Sequence, residues 1–242
     1  MSLHFEAVAA HGSLRLTLPN PLPSPVPEPG CDPVDAALAL AAHEPLLAAL
    51  EAWLQEALDP APVPRLDTAE PLLWLDVGAV RLGLPWPLLL AAPGPLVPDG
   101  AVAAIAWPEI AFEVELAGFD TAPLPAGARG GVLLLPTSLQ GAWRVLLRHA
   151  TLVADAEWPG PGTPLALCGP PELPTAQTPP HPPWRVVLAE PWCVPLPQLL
   201  GWQPMLAPPR PGSGAWLQPP DGPQQRGRIA PALAGFGLWI DD

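Results

Sequence analysis

Proline sets the terms on which this chain folds: 42 of its 242 residues are proline, and they recur from one end to the other. Inside a helix a proline removes a backbone donor and clashes with the preceding turn; inside a central strand it removes a ladder hydrogen bond. Long helices and long unbroken strands are therefore excluded, and short elements joined by stiff connections are expected. The chain nevertheless has the material for a core. Hydrophobic residues make up 49% of it, too many for a chain that stays disordered for want of apolar surface to bury. Its length suits one large domain or two small ones.

Charge narrows the function classes. The formal net charge is −13, and the few cations are scattered, which argues against nucleic acid and against an anionic membrane surface as partners. Every cation is an arginine (Arg15, Arg65, Arg81, Arg129, Arg144, Arg148, Arg185, Arg210, Arg226 and Arg228), and the chain has no lysine. A lysine-containing phosphate loop, a Schiff base and a lysine general base are thus impossible within this chain. A GC-rich coding sequence accounts for the bias toward Ala, Pro, Gly, Arg and Trp without any functional cause.

Cys31, Cys168 and Cys193 are odd in number and far apart, so neither a disulfide framework nor a metal clip is expected, and reduced thiols in a cytoplasmic setting are the simple reading. The N-terminus lacks the basic, apolar and small-residue succession of a secretory signal. The longest apolar runs, such as Pro85 to Pro98, are broken by Pro and Gly and fall short of the roughly 20 residues of a membrane helix. A soluble intracellular protein with no direct membrane insertion is expected.

Periodicity then divides the chain. A first strand is expected over Gly12 to Leu18, followed by a Pro-rich connector from Pro19 to Pro33. Asp32 or Asp35 can cap a helix running to about Leu58, with Leu38, Leu46, Leu47, Leu50, Trp53, Leu54 and Leu58 near a 3.6-residue period, and Pro45 is expected to kink or divide it. Strands are expected over Leu72 to Leu84, with a hairpin turn at Asp76-Val77-Gly78-Ala79, and over Ile110 to Leu116, Gly131 to Leu135 and Trp143 to Leu152. Leu84 to Leu90 reads as a short helical or irregular segment. From Trp158 to Pro183 ten prolines mark an interdomain linker, with Leu165 to Cys168 as a short strand inside it. The expected fold class is α+β: a mixed α/β domain over 1–157, a linker over 158–183 and a small, mostly β domain over 184–242.

No constellation for catalysis, cofactor or metal emerges. His4, His11, His43, His149 and His181 form no HExxH, HxH or His-plus-Cys pair at ligand spacing. Ser138 follows a strong strand but lacks the GxSxG frame of a nucleophile elbow. Glu113 with Glu115, and Asp241 with Asp242, are the carboxylate pairs available for acid–base work; alternating glutamates on a strand ordinarily form a solvated face, and the aspartates end the chain. The Gly127-Ala128-Arg129-Gly130-Gly131 run precedes a strand rather than a helix, against a dinucleotide site. Most of the 11 tryptophans suit core packing, while Trp192, Trp202, Trp216 and Trp239 are candidates to anchor an interface.

The tail carries a grammar of its own. A strand-like Trp184-Arg185-Val186-Val187-Leu188 leads to Pro195-Leu196-Pro197-Gln198-Leu199-Leu200-Gly201-Trp202, and after a Pro/Gly loop come Arg226-Gly227-Arg228-Ile229 and Phe236-Gly237-Leu238-Trp239-Ile240. This order resembles the SpoA-type domain shared by flagellar switch ring proteins and the cytoplasmic-ring, or sorting-platform, proteins of bacterial type III secretion. Gln198 stands where that family usually carries an acidic residue, and Pro204 where a glycine commonly follows. The resemblance implies a non-enzymatic scaffold at the inner-membrane base of a secretion apparatus. It also implies a second SpoA-domain protein as partner, since this chain holds one copy where full-length relatives hold two, together with ATPase-stalk and adaptor proteins and chaperone-cargo complexes. The implied interface comprises Val187, Leu188, Leu196, Leu199, Leu200, Trp202, Trp216, Ile229, Leu238, Trp239 and Ile240. Two other readings compete: a hydrolase using Ser138 or a carboxylate pair, and a peptide-binding chaperone or adaptor working through the Pro/Trp-rich loops of residues 1–155.

Overall fold

The computed structural model describes residues 2–20, 32–66, 71–97, 105–116, 130–135, 142–175, 184–205, 208, 210–219, 223–232 and 235–241. They fall into two units, Met1–Pro108 and Glu109–Asp242. Every strand pair is antiparallel and the helices are short, so the class is α+β.

In the first unit, β1 (Ser2–Ala9) and β2 (Gly12–Pro19) form a hairpin with Ala9 opposite Gly12. β1 lies outside the strands expected above, although Leu3, Phe5, Ala7 and Ala9 alternate with His4, Glu6 and Val8 as a half-buried strand must. Two helices follow: α1 (Pro33–Ala42) and α2 (Glu44–Leu54), bent by 71° relative to each other. Asp32 caps α1 by accepting a hydrogen bond from the Val34 amide at 2.8 Å, with Pro33 in the first turn. The break follows from Pro45, which has no N–H to continue the ladder and fits only the first turn of a new helix. α2 ends earlier than expected because Gln55 adopts a left-handed backbone, φ 58°. The buried helical positions are Ala36 and Ala39 of α1 and Leu46 and Leu50 of α2, while Leu38 is exposed.

A short β3 (Ala61–Val63) pairs with β1, and β4 (Leu72–Val77) and β5 (Val80–Pro85) form the expected hairpin, turning at Gly78, whose φ of 61° suits a tight two-residue loop. The sheet order is β3-β1-β2-β5-β4. Its inner face is apolar: Phe5, Leu14, Leu16, Leu18, Leu82 and Leu84 are buried, α1 packs on β2, and α3 (Trp86–Ala91) packs on β5. Truncating one such leucine to alanine costs about 2–5 kcal/mol. On the outer face the Trp74 ring lies across Gly83, and the Arg81 guanidinium stands 5.0 Å from that ring.

The second unit is a larger sheet built from β6 (Glu109–Leu116), β7 (Val132–Leu134), β8 (Trp143–Arg148), β9 (Val153–Trp158), β10 (Ala166–Leu167), β11 (Arg185–Leu188), β12 (Trp192–Pro195), β13 (Gly214–Gln218), β14 (Gln225–Ala232) and β15 (Gly235–Ile240), with α4 (Leu196–Leu199) after β12. The order is β10-β9-β8-β6-β11-β13-β14-β15-β7, with β12 also pairing β6. Ile110, Phe112, Val114 and Leu116 alternate into the core as expected. One edge of β6 carries β8; the other carries β11 and β12 in turn. Val187 faces Glu115 and Trp192 faces Phe112, so five steps along one chain match three along the other, and the surplus forms a bulge containing Pro191, which has no N–H for a ladder. The sheet curls until its distant strands meet: the Trp143 ring lies 5.6 Å from Trp158 and 5.1 Å from Phe236.

Three expectations change. Trp143 to Leu152 is not one strand; β8 stops at Arg148 and the chain reverses so that His149 donates its amide to the Leu152 carbonyl before β9 begins. The first part of the expected linker is sheet: β10 pairs β9, and Glu172 bridges Val153. The rest of it, 176–183, lies outside the described residues. Above all, the chain does not divide near residue 180. Because β11 and β12 add to β6, residues 184–242 are one half of a sheet whose other half comes from 109–167, rather than a module closed on itself.

Candidate functional site

Glu113 and Glu115 lie on the outer face of β6, two residues apart, yet their surroundings differ. Glu115 is 2% exposed and lies between two arginines: its Oε2 accepts from Arg148 Nε and from Arg185 Nε, each at 3.0 Å. Glu113 is more open and pairs with Arg185 through the Nη2 end of the same guanidinium. Arg185 Nη1 reaches Gln218 at 3.1 Å. The expectation of a solvated glutamate face therefore fails at Glu115. The side chains of β8, β6, β11 and β13 are bound together by one charged network where β11 and β6 share a single backbone register pair, Val187 with Glu115. By contrast, the Arg144–Asp155 pair at 3.3 Å is exposed on both sides and contributes little.

Beside this network is a shallow, open depression of ≈ 490 Å³ lined by Glu113, Arg148, His149, Val153, Pro174 and Arg185 among others. His149 packs edge-on to Phe112, and its Nδ1 accepts the Thr151 amide at 3.3 Å, which requires a lone pair on that nitrogen. Burial pushes the His149 pKa down, favouring the same neutral ring. The depression thus offers one neutral imidazole beside carboxylates already engaged by guanidinium groups. Ser138, the nucleophile of the competing hydrolase reading, lies outside the described residues, as do Cys31, His181, 127–129 and Asp242. Among the described residues no three of His, Cys, Asp or Glu converge on a metal position. No single helix among them is long and apolar enough to cross a membrane.

The thiol of Cys168 is exposed, and its pKa is raised by partial desolvation and then by the charges of Glu157 and Asp155, against a smaller opposing effect of Arg144. A raised pKa keeps less of it in the nucleophilic thiolate form.

The expected interface residues divide between core and surface. Val187, Leu188, Leu196, Leu199, Ile229, Leu238 and Ile240 are buried within this chain's own second unit and present no surface. Leu200, Trp202 and Trp216 are half-buried, and Trp239 is 40% exposed. Apolarity in sequence marked them all alike; only the face each occupies separates core from surface. Trp192, a further anchor candidate, is core, its ring 6.0 Å from Phe112. Missed altogether were Val132 and Leu134 of β7, exposed at 39% and 54%, which sit beside Trp239 on the outer face. The signal was present in Gly-Gly-Val-Leu-Leu-Leu, an apolar strand with no alternation to give it a wet side.

What the second unit defines, then, is a curled antiparallel sheet with a largely buried charged network at its centre and an exposed apolar strip at one edge. Compared with protein-family models, curated proteins and solved structures, the chain shows no match.

Proposed function

We propose that the chain is a non-enzymatic scaffold of the cytoplasmic ring, or sorting platform, of a bacterial type III secretion system, working by association with a separately made SpoA-domain protein. The observation that carries the reading is the order of elements in the tail. Strand β12 runs into the short helix α4, the chain turns at Gly201 with φ 72°, and three antiparallel strands, β13, β14 and β15, close the segment. The SpoA-like residues fall within this succession, Leu196 to Gly201 in and after α4, Arg226 to Ile229 in β14 and Phe236 to Ile240 in β15, while β13 occupies the stretch expected as a Pro/Gly loop.

The fold alters what such a scaffold would use. With the tail leucines and isoleucines already buried, association falls to Trp202, Trp216, Trp239 and their surroundings, and the working unit is 109–242 rather than 184–242. An isolated 180–242 fragment would lack β6 and β7, the neighbours of β11 and β15, and its failure to fold would say nothing about partners. The test is co-expression of the full chain with a single-domain SpoA protein of a type III secretion apparatus, followed by size-exclusion chromatography with light scattering. A complex of defined stoichiometry that survives dilution to about 1 μM, equivalent to about −8 kcal/mol, is the expected result. Separate elution at tens of micromolar would remove the proposal.

A further inference from the structure

We infer that two copies of this chain join through β7, pairing strand to strand across a two-fold axis. The inference starts from backbone hydrogen bonds. Leu135 donates its N–H to the Phe236 carbonyl and Ile240 donates to the Gly131 carbonyl, each at 3.0 Å. Donors and acceptors alternate sides along an antiparallel strand, so Leu133 faces β15, while Val132 and Leu134 turn their N–H and C=O groups the other way. Among the described residues no strand pairs with that side of β7. The residues with open backbone groups are also those with open apolar side chains: Val132 and Leu134, flanked by Trp239.

Sheets guard such edges with short strands, charges or proline. At the opposite end of the same sheet β10 is two residues long and is followed by Gly169-Pro170-Pro171-Glu172. β7 is itself only three residues long, with Pro136 two positions on in the sequence, but within it there is no charge and no proline, nor in the Gly237-Leu238-Trp239 stretch it pairs with. A second copy fits this edge in a self-complementary register. Leu133 meets its own symmetry mate, and Val132 meets Leu134 in two hydrogen-bonded pairs, each apolar against apolar on the exposed face. Among the described residues of this edge no carboxylate is brought opposite another, although the chain as a whole carries −13. The two acidic bodies thus touch where they are uncharged, with the exposed Arg226 and Arg228 on β14 behind Trp239.

The experiment uses the full chain. Sedimentation at tens of micromolar should give a dimer, and raising the salt from 0.05 to 0.5 M should tighten it by screening the repulsion between like-charged bodies. Leu134→Pro removes only an outward N–H and leaves the β7–β15 ladder whole, so it should weaken the dimer at least tenfold at an unchanged urea midpoint; Leu134→Lys serves if the proline variant is destabilised. Leu133→Cys, with Cys31, Cys168 and Cys193 changed to Ser, should cross-link on oxidation, because facing non-hydrogen-bonded residues stand about 4.5 Å apart at Cα. A monomer, a dimer indifferent to both Leu134 variants, or a dimer that does not cross-link at 133 overturns the inference. β7 lies outside the SpoA-like segment, so a monomer would leave the secretion reading standing, and a failed heterocomplex would leave this one.

Discussion

Replacing Glu115 by glutamine tests how the second unit is held together. Its carboxylate accepts two charge-assisted hydrogen bonds at 3.0 Å while 2% exposed, and each arginine side chain is 15% exposed. A hydrogen bond to a charged group contributes about 1.5–3 kcal/mol, and removing one member of a buried ion network costs about 3–5 kcal/mol because the remaining charges stay desolvated. Glu115→Gln retains the shape and one acceptor oxygen, so a loss of about 3 kcal/mol is expected. Glu113→Gln removes a carboxylate whose side chain is 41% exposed from the same arginine, and should cost less than about 1 kcal/mol. In urea titrations followed by tryptophan fluorescence, with a slope of about 2–3 kcal/mol/M, the Glu115 variant should unfold about 1 M earlier than wild type and the Glu113 variant within a few tenths. Combining Glu115→Leu with Arg148→Met and Arg185→Leu should recover most of the loss, since a fully apolar cluster leaves no stranded charge. Equal midpoints for Glu115→Gln and Glu113→Gln would refute the reasoning.

Other expectations can be checked alongside. Gly227→Ala would put a methyl group inside van der Waals contact of the Trp239 carbonyl oxygen, a backbone atom that no rotamer change can move, so a loss of about 1–3 kcal/mol is expected in the same titration. Gln55→Gly should relieve the left-handed backbone at the end of α2 and raise stability by about 0.5–1 kcal/mol, measurable as a higher midpoint. Because burial lowers the His149 pKa from 6.5, the unfolded chain binds the proton more readily; stability is full above pH 6.5 and falls as the pH drops below it, and His149→Gln should flatten that part of the pH–stability curve.

Faces were legible in the sequence where neighbours were not. The alternation in 110–116 told which side of β6 is buried, Pro45 told where a helix must break, and Gly78 told where a hairpin turns. None of these signals says which strand lies beside which. Leu72 to Leu84 and Ile110 to Leu116 read alike and fall within one expected domain, 1–157, yet β4 and β5 belong to the first unit and β6 to the second. Proline density misled for a related reason: prolines around β10 exclude a helix or a central strand, but an edge strand tolerates them, so a sheet margin passed for a linker. At the candidate site, Glu115 was misjudged because its arginine partners, Arg148 and Arg185, arrive from residues 33 and 70 positions away.

The join between β6 and the tail also dictates an order of events during synthesis. Glu115 must wait for Val187, and Phe112 for Trp192, before the central strand has both neighbours. Until then a nascent chain exposes one edge of β6 with its apolar face only part-covered, the condition in which strands find wrong partners. Contacts so distant in sequence also slow folding, since loop closure precedes any gain from pairing. A chain stopped anywhere before Pro195 would therefore be an aggregation hazard rather than a smaller working protein.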